Sequence, residues 1–237
     1  MSHKPAAQVI ELVGPAGAGK TGLLRAIAQR APTVRTGVRL DRVRTMPLVA
    51  RHAITLLPAT LELFFADPRS LWPALRHLGR LGAFPAELER ARGSRHQTIL
   101  LDEGPVFSLG RLSVFQRANE GSGWLGREWN AEVVRWSEML TGVILLDADN
   151  EVLSQRIRNR PKHHSVKNGS DREVSGFLDR YRAAYREIVT RLTAGGRVQI
   201  VEFDTTRQPF DAIATDIVTA LDRWAVRSEA ATAQRRT

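Results

Sequence analysis

The chain has 237 residues, 43% of them hydrophobic and 25% charged, which is a globular balance with length enough for a sizeable buried core. It contains no cysteine, which excludes disulfides, thiolate catalysis and cysteine-ligated zinc or iron–sulfur centres. Lys and Arg total 35 against 25 Asp and Glu, a net charge of +10, and only Lys4, Lys20, Lys162 and Lys167 are lysines. Forked guanidinium groups suit phosphate oxygens, so anionic partners are one reading of this excess and a high-GC codon bias is the other.

Val9-Ile10-Glu11-Leu12-Val13 is a β-type run, followed by a glycine-rich loop over 14–19 and a helical stretch from Lys20 to Ala31, stopped at Pro32. Residues 33–40 alternate β-branched residues with arginine and predict a second strand. Residues 46–66 and 70–92 read as helical but broken, with prolines at 47, 58, 68, 73 and 85. The apolar run Thr98–Leu101 predicts a strand ending in Asp102-Glu103-Gly104. A helix is expected over 127–140, with Trp129, Val133 and Trp136 sharing a face, then a strand over 143–146 ending in Asp147. Helices over 150–160 and 172–194, a strand from Val198 to Phe203 and a helix from Phe210 to Trp224 follow, and residues 225–237 read as a flexible polar tail.

Short apolar strands alternating with helices predict a parallel sheet covered on both faces. The expected architecture is therefore one three-layer α/β domain over 1–224, with a helical insertion at about 46–95. No stretch approaches the roughly 18–20 apolar residues of a membrane span, since Arg51, His52 and Glu62 interrupt the richest one. A soluble, cytoplasmic chain is expected.

Gly14-Pro15-Ala16-Gly17-Ala18-Gly19-Lys20-Thr21 fits G-x-x-x-x-G-K-[ST] in full, between a strand and a helix. Glycines let backbone N–H groups turn inward around phosphate oxygens, and the helix N-terminus beginning near Gly22 adds a positive field. Lys20 would reach the β/γ-phosphates of ATP, and the Thr21 hydroxyl would ligate Mg²⁺. The carboxylate that such a site needs for magnesium is supplied by Asp102 or Glu103, at the end of a neighbouring strand. Two adjacent acids leave two chemistries open. In an ATPase or nucleotide-dependent switch, Glu103 would polarise water; in a kinase, one acid would serve the metal and another would take or orient the proton of an acceptor. Asp41 is a third acid near the same edge.

A kinase must close over its substrates and bring cations to the moving phosphoryl group. The run 154–168 carries Arg156, Arg158, Arg160, Lys162 and Lys167 and reads as a lid, with Arg156 and Arg160 spaced to share one helical face. In 70–92, Leu71, Leu75, Leu78 and Leu81 alternate with Arg76, His77 and Arg80; this is expected to pack on the sheet with its arginines toward a substrate cleft, a lipid-headgroup surface being the other reading. Trp124, in GSGWLG, is expected to contact ligand, and Trp129 and Trp136 to fill the core.

These pieces together resemble the thymidylate kinase and deoxynucleoside kinase branch of the P-loop nucleotide kinases, over roughly residues 8–224. The resemblance rests on GPAGAGKT, on LLDEGP, on VILLDADNEVLSQRIRNR, on FLDRYRAAYREIV and on VQIVEFDTTRQPFDAIATDIVTAL. It implies that Arg156 and Arg160 contact ATP, that 204–208 walls the adenine pocket, that Asp102 serves magnesium or the acceptor, and that Asp41 is an acid at the acceptor site. Two departures stand out: Glu103 occupies the position where that branch has an arginine, and 46–95 fits no nucleoside-binding pattern. The expected reaction is phosphoryl transfer from Mg-ATP to a nucleoside or nucleotide held near Arg39, Asp41, Arg44 and Arg111. Acceptors such as a sugar, an antibiotic or a polymer-bound hydroxyl stay open. No recognised nucleic-acid module accompanies the charge, so no specific nucleic-acid partner is expected, and a homodimer is left open.

Overall fold

The computed structural model describes residues 7–38, 61, 65, 68–92, 98–117, 123–161 and 164–234. Its strands are β1 (Gln8–Val13), β2 (Val34–Val38), β3 (Thr98–Asp102), β4 (Gly142–Asp147) and β5 (Gln199–Asp204). All pair in parallel, in the order β2-β3-β1-β4-β5. Every residue of β1 and β3 is buried, including the polar Gln8, Glu11, Thr98 and Asp102 among their apolar neighbours. The register sets Leu12 opposite Asp102 and Val13 opposite Leu145. The carboxyl ends of β3, β1 and β4 therefore lie side by side, with the loop after β1 between the other two.

The helices among the described residues are α1 (Lys20–Arg30), α2 (Pro68–Arg92), α3 (Pro105–Gln116), α4 (Trp124–Met139), α5 (Asn150–Arg158), α6 (Asp171–Thr193) and α7 (Phe210–Gln234). α1 packs with α7, while α3 packs with α2, α4 and α6. Trp129, Trp136, Tyr185 and Phe84 are the largest fully buried side chains, so the two tryptophans are core residues as expected. Among the described residues no helix is long and apolar enough to cross a membrane.

The structure corrects five boundaries. α2 is unbroken although Pro73 and Pro85 lie inside it. Each interior proline costs about 3 kcal/mol, but Ala74, Leu78, Leu81, Phe84, Leu88 and Ala91 form a buried helical face, and each large member contributes about 1.5–3 kcal/mol. α3 occupies 105–116, a stretch for which no helix was expected, with Pro105 in its first turn. Trp124 opens α4 instead of lying in a loop, and its half-exposed ring lies 4.6 Å from the Arg127 guanidinium. α5 ends at Arg158, so Arg160 lies beyond it and shares no helical face with Arg156. The cause is Pro161, which disfavours helical backbone at the residue before it. α7 runs on to Gln234, because the alanine-rich run after Trp224 propagates helix readily. Of the helix expected over 46–66, only Leu61 and Phe65 are described, both helical.

Candidate active site

The loop 14–19 turns from β1 directly into α1. Gly19 has a φ of 87°, and a Cβ there would fall 2.3 Å from the Phe210 ring, so only glycine fits. The Ala18 N–H donates to the Pro15 carbonyl at 3.3 Å and tightens the turn. Lys20 Nζ donates to the carbonyls of Gly14, at 2.6 Å, and Pro15, at 3.0 Å, which lays the ammonium across the loop. Thr21 and Gly22 are exposed on the first turn of α1. That turn has no acidic residue and no side-chain cap, leaving its N–H groups and positive field for an anion. The residues present fit a nucleotide's phosphate chain.

Charge converges on Lys20. Burial lowers its pKa to about 8; Asp102 opposes that most strongly, Arg160 adds to it, and Glu103 and Glu11 oppose it further. Asp102 is the buried last residue of β3, one strand away from the loop. Among the described residues no cluster of three or more His, Cys, Asp or Glu could hold a metal ion. Thr21 and Asp102 are the residues that could hold magnesium, together with nucleotide phosphates and water, as this ion is commonly held.

Glu11, absent from the expected site, is fully buried within β1. Its carboxylate accepts the N–H of Val106 at 2.7 Å and of Phe107 at 2.9 Å. It thus caps α3, whose own N-cap residue, Gly104, has no side chain to do so. A Cβ on Gly104 would come within 2.8 Å of the Glu11 carboxyl carbon. Burial pushes the Glu11 carboxyl up to about 8, against the N–H groups of Phe107, Val106 and Gly104 and the charge of Arg80. Asp102-Glu103-Gly104 is therefore pinned from the strand that carries the phosphate loop. Glu103 sits in the left-handed region at φ 57°, its carbonyl accepting from Arg80 Nη2 at 2.5 Å and its carboxylate 3.6 Å from Arg80 Nη1.

Arg156 reaches the loop from α5. Its Nη1 donates to the Gly17 carbonyl at 3.3 Å and to Thr205 Oγ1 at 2.9 Å, and its Nη2 donates to the Thr205 carbonyl at 3.1 Å. The guanidinium also lies 5.8 Å from the Phe210 ring centre. One side chain thus joins the phosphate loop to the 204–208 turn. Arg160 is exposed; its carbonyl accepts from Lys167 Nζ. Arg158 is engaged elsewhere, with Asp171 at 2.6 Å.

Arg111 points from α3 toward α6, donating to the Tyr181 hydroxyl at 2.8 Å and lying 4.2 Å from the Phe115 ring centre. Arg39, Asp41 and Arg44 lie outside the described residues. Arg182, also unforeseen, clamps Asp147 through two contacts of 2.9 and 2.7 Å and donates to the Ala148 carbonyl, fixing the β4–α5 turn. A cavity of about 610 Å³ opens beside Pro15, lined by Asp147, Asn150, Arg182, Tyr185 and Asp204. Lys20, Thr21, Asp102 and Arg156 do not line it.

The fold has solved counterparts. The chain superposes on deoxyadenosine kinase from M. mycoides with the products dCMP and a flexible dCDP bound, with a TM-score of 0.53 and 15% sequence identity, covering 91% of this chain and 100% of that one. The same enzyme with dCTP gives 0.52, 14%, 90% and 100% for these measures, and with dATP 0.52, 13%, 90% and 98%. The fold is that of a P-loop deoxynucleoside kinase. No protein-family model and no curated protein matches the sequence. At this identity the likeness establishes the architecture alone; activity has to be argued from the residues.

Proposed function

We propose that the chain is a P-loop kinase that transfers the γ-phosphoryl group of Mg-ATP to a small-molecule acceptor, a nucleoside or nucleotide in the first instance, acting in the cytoplasm. The observation that carries this is the convergence on one loop of Lys20, of Asp102 from the adjacent strand and of Arg156 from the lid helix. The fold shared with deoxyadenosine kinase supports it.

Magnesium, when bound, would be held by Thr21 and Asp102 and would supply positive charge against that of the phosphates. Backbone N–H groups of the loop and the start of α1 bind the phosphates, and Lys20 offsets charge on the β/γ-phosphates. As the acceptor oxygen bonds to the γ-phosphorus, the bond to the β–γ bridging oxygen breaks and ADP leaves. The proton of an attacking hydroxyl passes to a carboxylate of the acidic turn other than the one that serves magnesium. Glu103, the residue that a hydrolytic reading requires, is engaged with Arg80.

Arg156 offers the test. Arg156→Ala should lower kcat by roughly 10²-fold, as for loss of a preorganised donor, and weaken ATP binding less. Arg156→Lys should recover only part of this, because an ammonium cannot bridge Gly17 and Thr205 as the guanidinium does. Steady-state kinetics with nucleotide titrations measure both; unchanged turnover in both variants would remove the lid helix from the chemistry.

A further inference from the structure

Beside the acidic turn, α2 and α3 bury a group of polar side chains that the phosphate chemistry does not use. His77 is 2% exposed, and neither of its ring nitrogens has a partner. Its ring stands edge-on to Phe107, with centres 5.9 Å apart. Ser108 is fully buried with an unpartnered hydroxyl. Arg80 and Arg111 each keep a buried, unpartnered Nε, while their terminal nitrogens hold Glu103 and Tyr181. His77 and Arg80 are three residues apart on α2, and Ser108 and Arg111 are three apart on α3, so each pair shares a helix face. The cluster is electrostatically connected: burial, then the charges of Arg111, Arg76 and Arg80, hold the His77 imidazole neutral, with a pKa of about 3.

Leaving one polar group buried and unmade costs about 1–3 kcal/mol, and native folds contain few such groups. Several in one cluster point to a missing partner. The inventory is lopsided, because arginine Nε can only donate, a neutral imidazole donates once, and a hydroxyl donates as well as accepts. A partner that satisfies them is rich in acceptor oxygens. The charge has the same sense, with Arg76, Arg80 and Arg111 set against Glu103 and a Glu11 that burial drives toward its neutral form.

We propose that His77, Arg80, Ser108 and Arg111 form the acceptor-recognition site and that it takes an acceptor carrying an oxyanion, a phosphate or a carboxylate, apart from the oxygen that is phosphorylated. This rests on the kinase reading above. Arg80 links the cluster to Glu103 and so to Asp102, and the Arg80–Glu103 pair, with side chains 23% and 54% exposed, is where the cluster meets solvent. Neutral nucleosides, which lack an oxyanion, would leave the arginines unmatched.

The test is equilibrium binding by calorimetry with ADP saturating the phosphate loop, so that added anions cannot occupy it. Nucleoside 5′-monophosphates, sugar phosphates and uronic acids are compared with their neutral parents. At least one oxyanion-bearing compound should bind 10-fold or more tighter than its parent, and His77→Gln and Ser108→Ala should shrink that difference without altering ADP affinity. Phosphates and uronic acids distinguish the two oxyanions. Neutral parents binding as well as the anionic forms, or a difference that persists in both variants, would overturn the proposal. Turnover is read separately: tight, variant-sensitive anion binding with no phosphoryl transfer to any compound would leave this site standing and sink the kinase reading.

Discussion

Lys20→Ala is expected to lower phosphoryl transfer by about 10³-fold or more, the scale of losing a preorganised charge in a water-excluded site, without unfolding the protein. Lys20 is a desolvated cation that donates to two loop carbonyls. Its stability effect has a definite sign. Burial lowers its pKa from 10.5 to about 8, so between those values the unfolded chain binds more protons than the folded one. The contribution of Lys20 to stability therefore rises with pH across that window. In Lys20→Ala the rise should disappear while the melting temperature at neutral pH holds or increases. Thermal unfolding from pH 7 to 10.5, beside steady-state kinetics, separates the two effects. Near wild-type turnover would refute the assignment of the loop.

Glu11→Ala should be the most destabilising single change in the site, by about 3 kcal/mol, because it leaves two helix-terminal N–H groups buried without an acceptor and opens a void beside Gly104. Turnover should fall too, with the ATP KM little changed, since the turn bearing Asp102 loses its anchor while the phosphate loop does not. The pH sign is opposite to that of Lys20. The folded pKa is about 8 against 4.5 for the free side chain, so the folded chain binds more protons between them. The contribution of Glu11 is fully present below about pH 4.5 and is lost as pH rises toward 8. Glu11→Gln, which titrates at no pH and keeps one acceptor oxygen, should flatten that slope and restore part of the stability. A slope unchanged in Glu11→Gln would place the titration elsewhere.

The phosphate loop was legible because its glycines, lysine and threonine are neighbours in sequence, and β1, β3 and β4 because burial on both faces demands largely apolar runs. What escaped the sequence depends on contacts between distant segments. α3 was missed because its cap, Glu11, lies 95 residues before Val106. The one acid in the run QVIELV was nonetheless a visible anomaly, since a charged side chain in a fully buried strand requires a partner. α2 seemed broken because a proline penalty is local, whereas the burial that outweighs it comes from α3. His77 was in view within its leucine and arginine stripe, but its burial depends on the same packing. The spacing of Arg156 and Arg160 misled because Pro161 ends the helix between them.

The most direct measurement follows the γ-phosphate of labelled ATP, with Mg²⁺ present, in water alone and with each of a panel of nucleosides, nucleotides and phosphorylated sugars. The expected result is label in an organic product, formed at least about 10²-fold faster than inorganic phosphate, and formed about 10³-fold or more slower in Lys20→Ala. Inorganic phosphate released at one rate whatever the acceptor, with no labelled organic product, would contradict the kinase assignment.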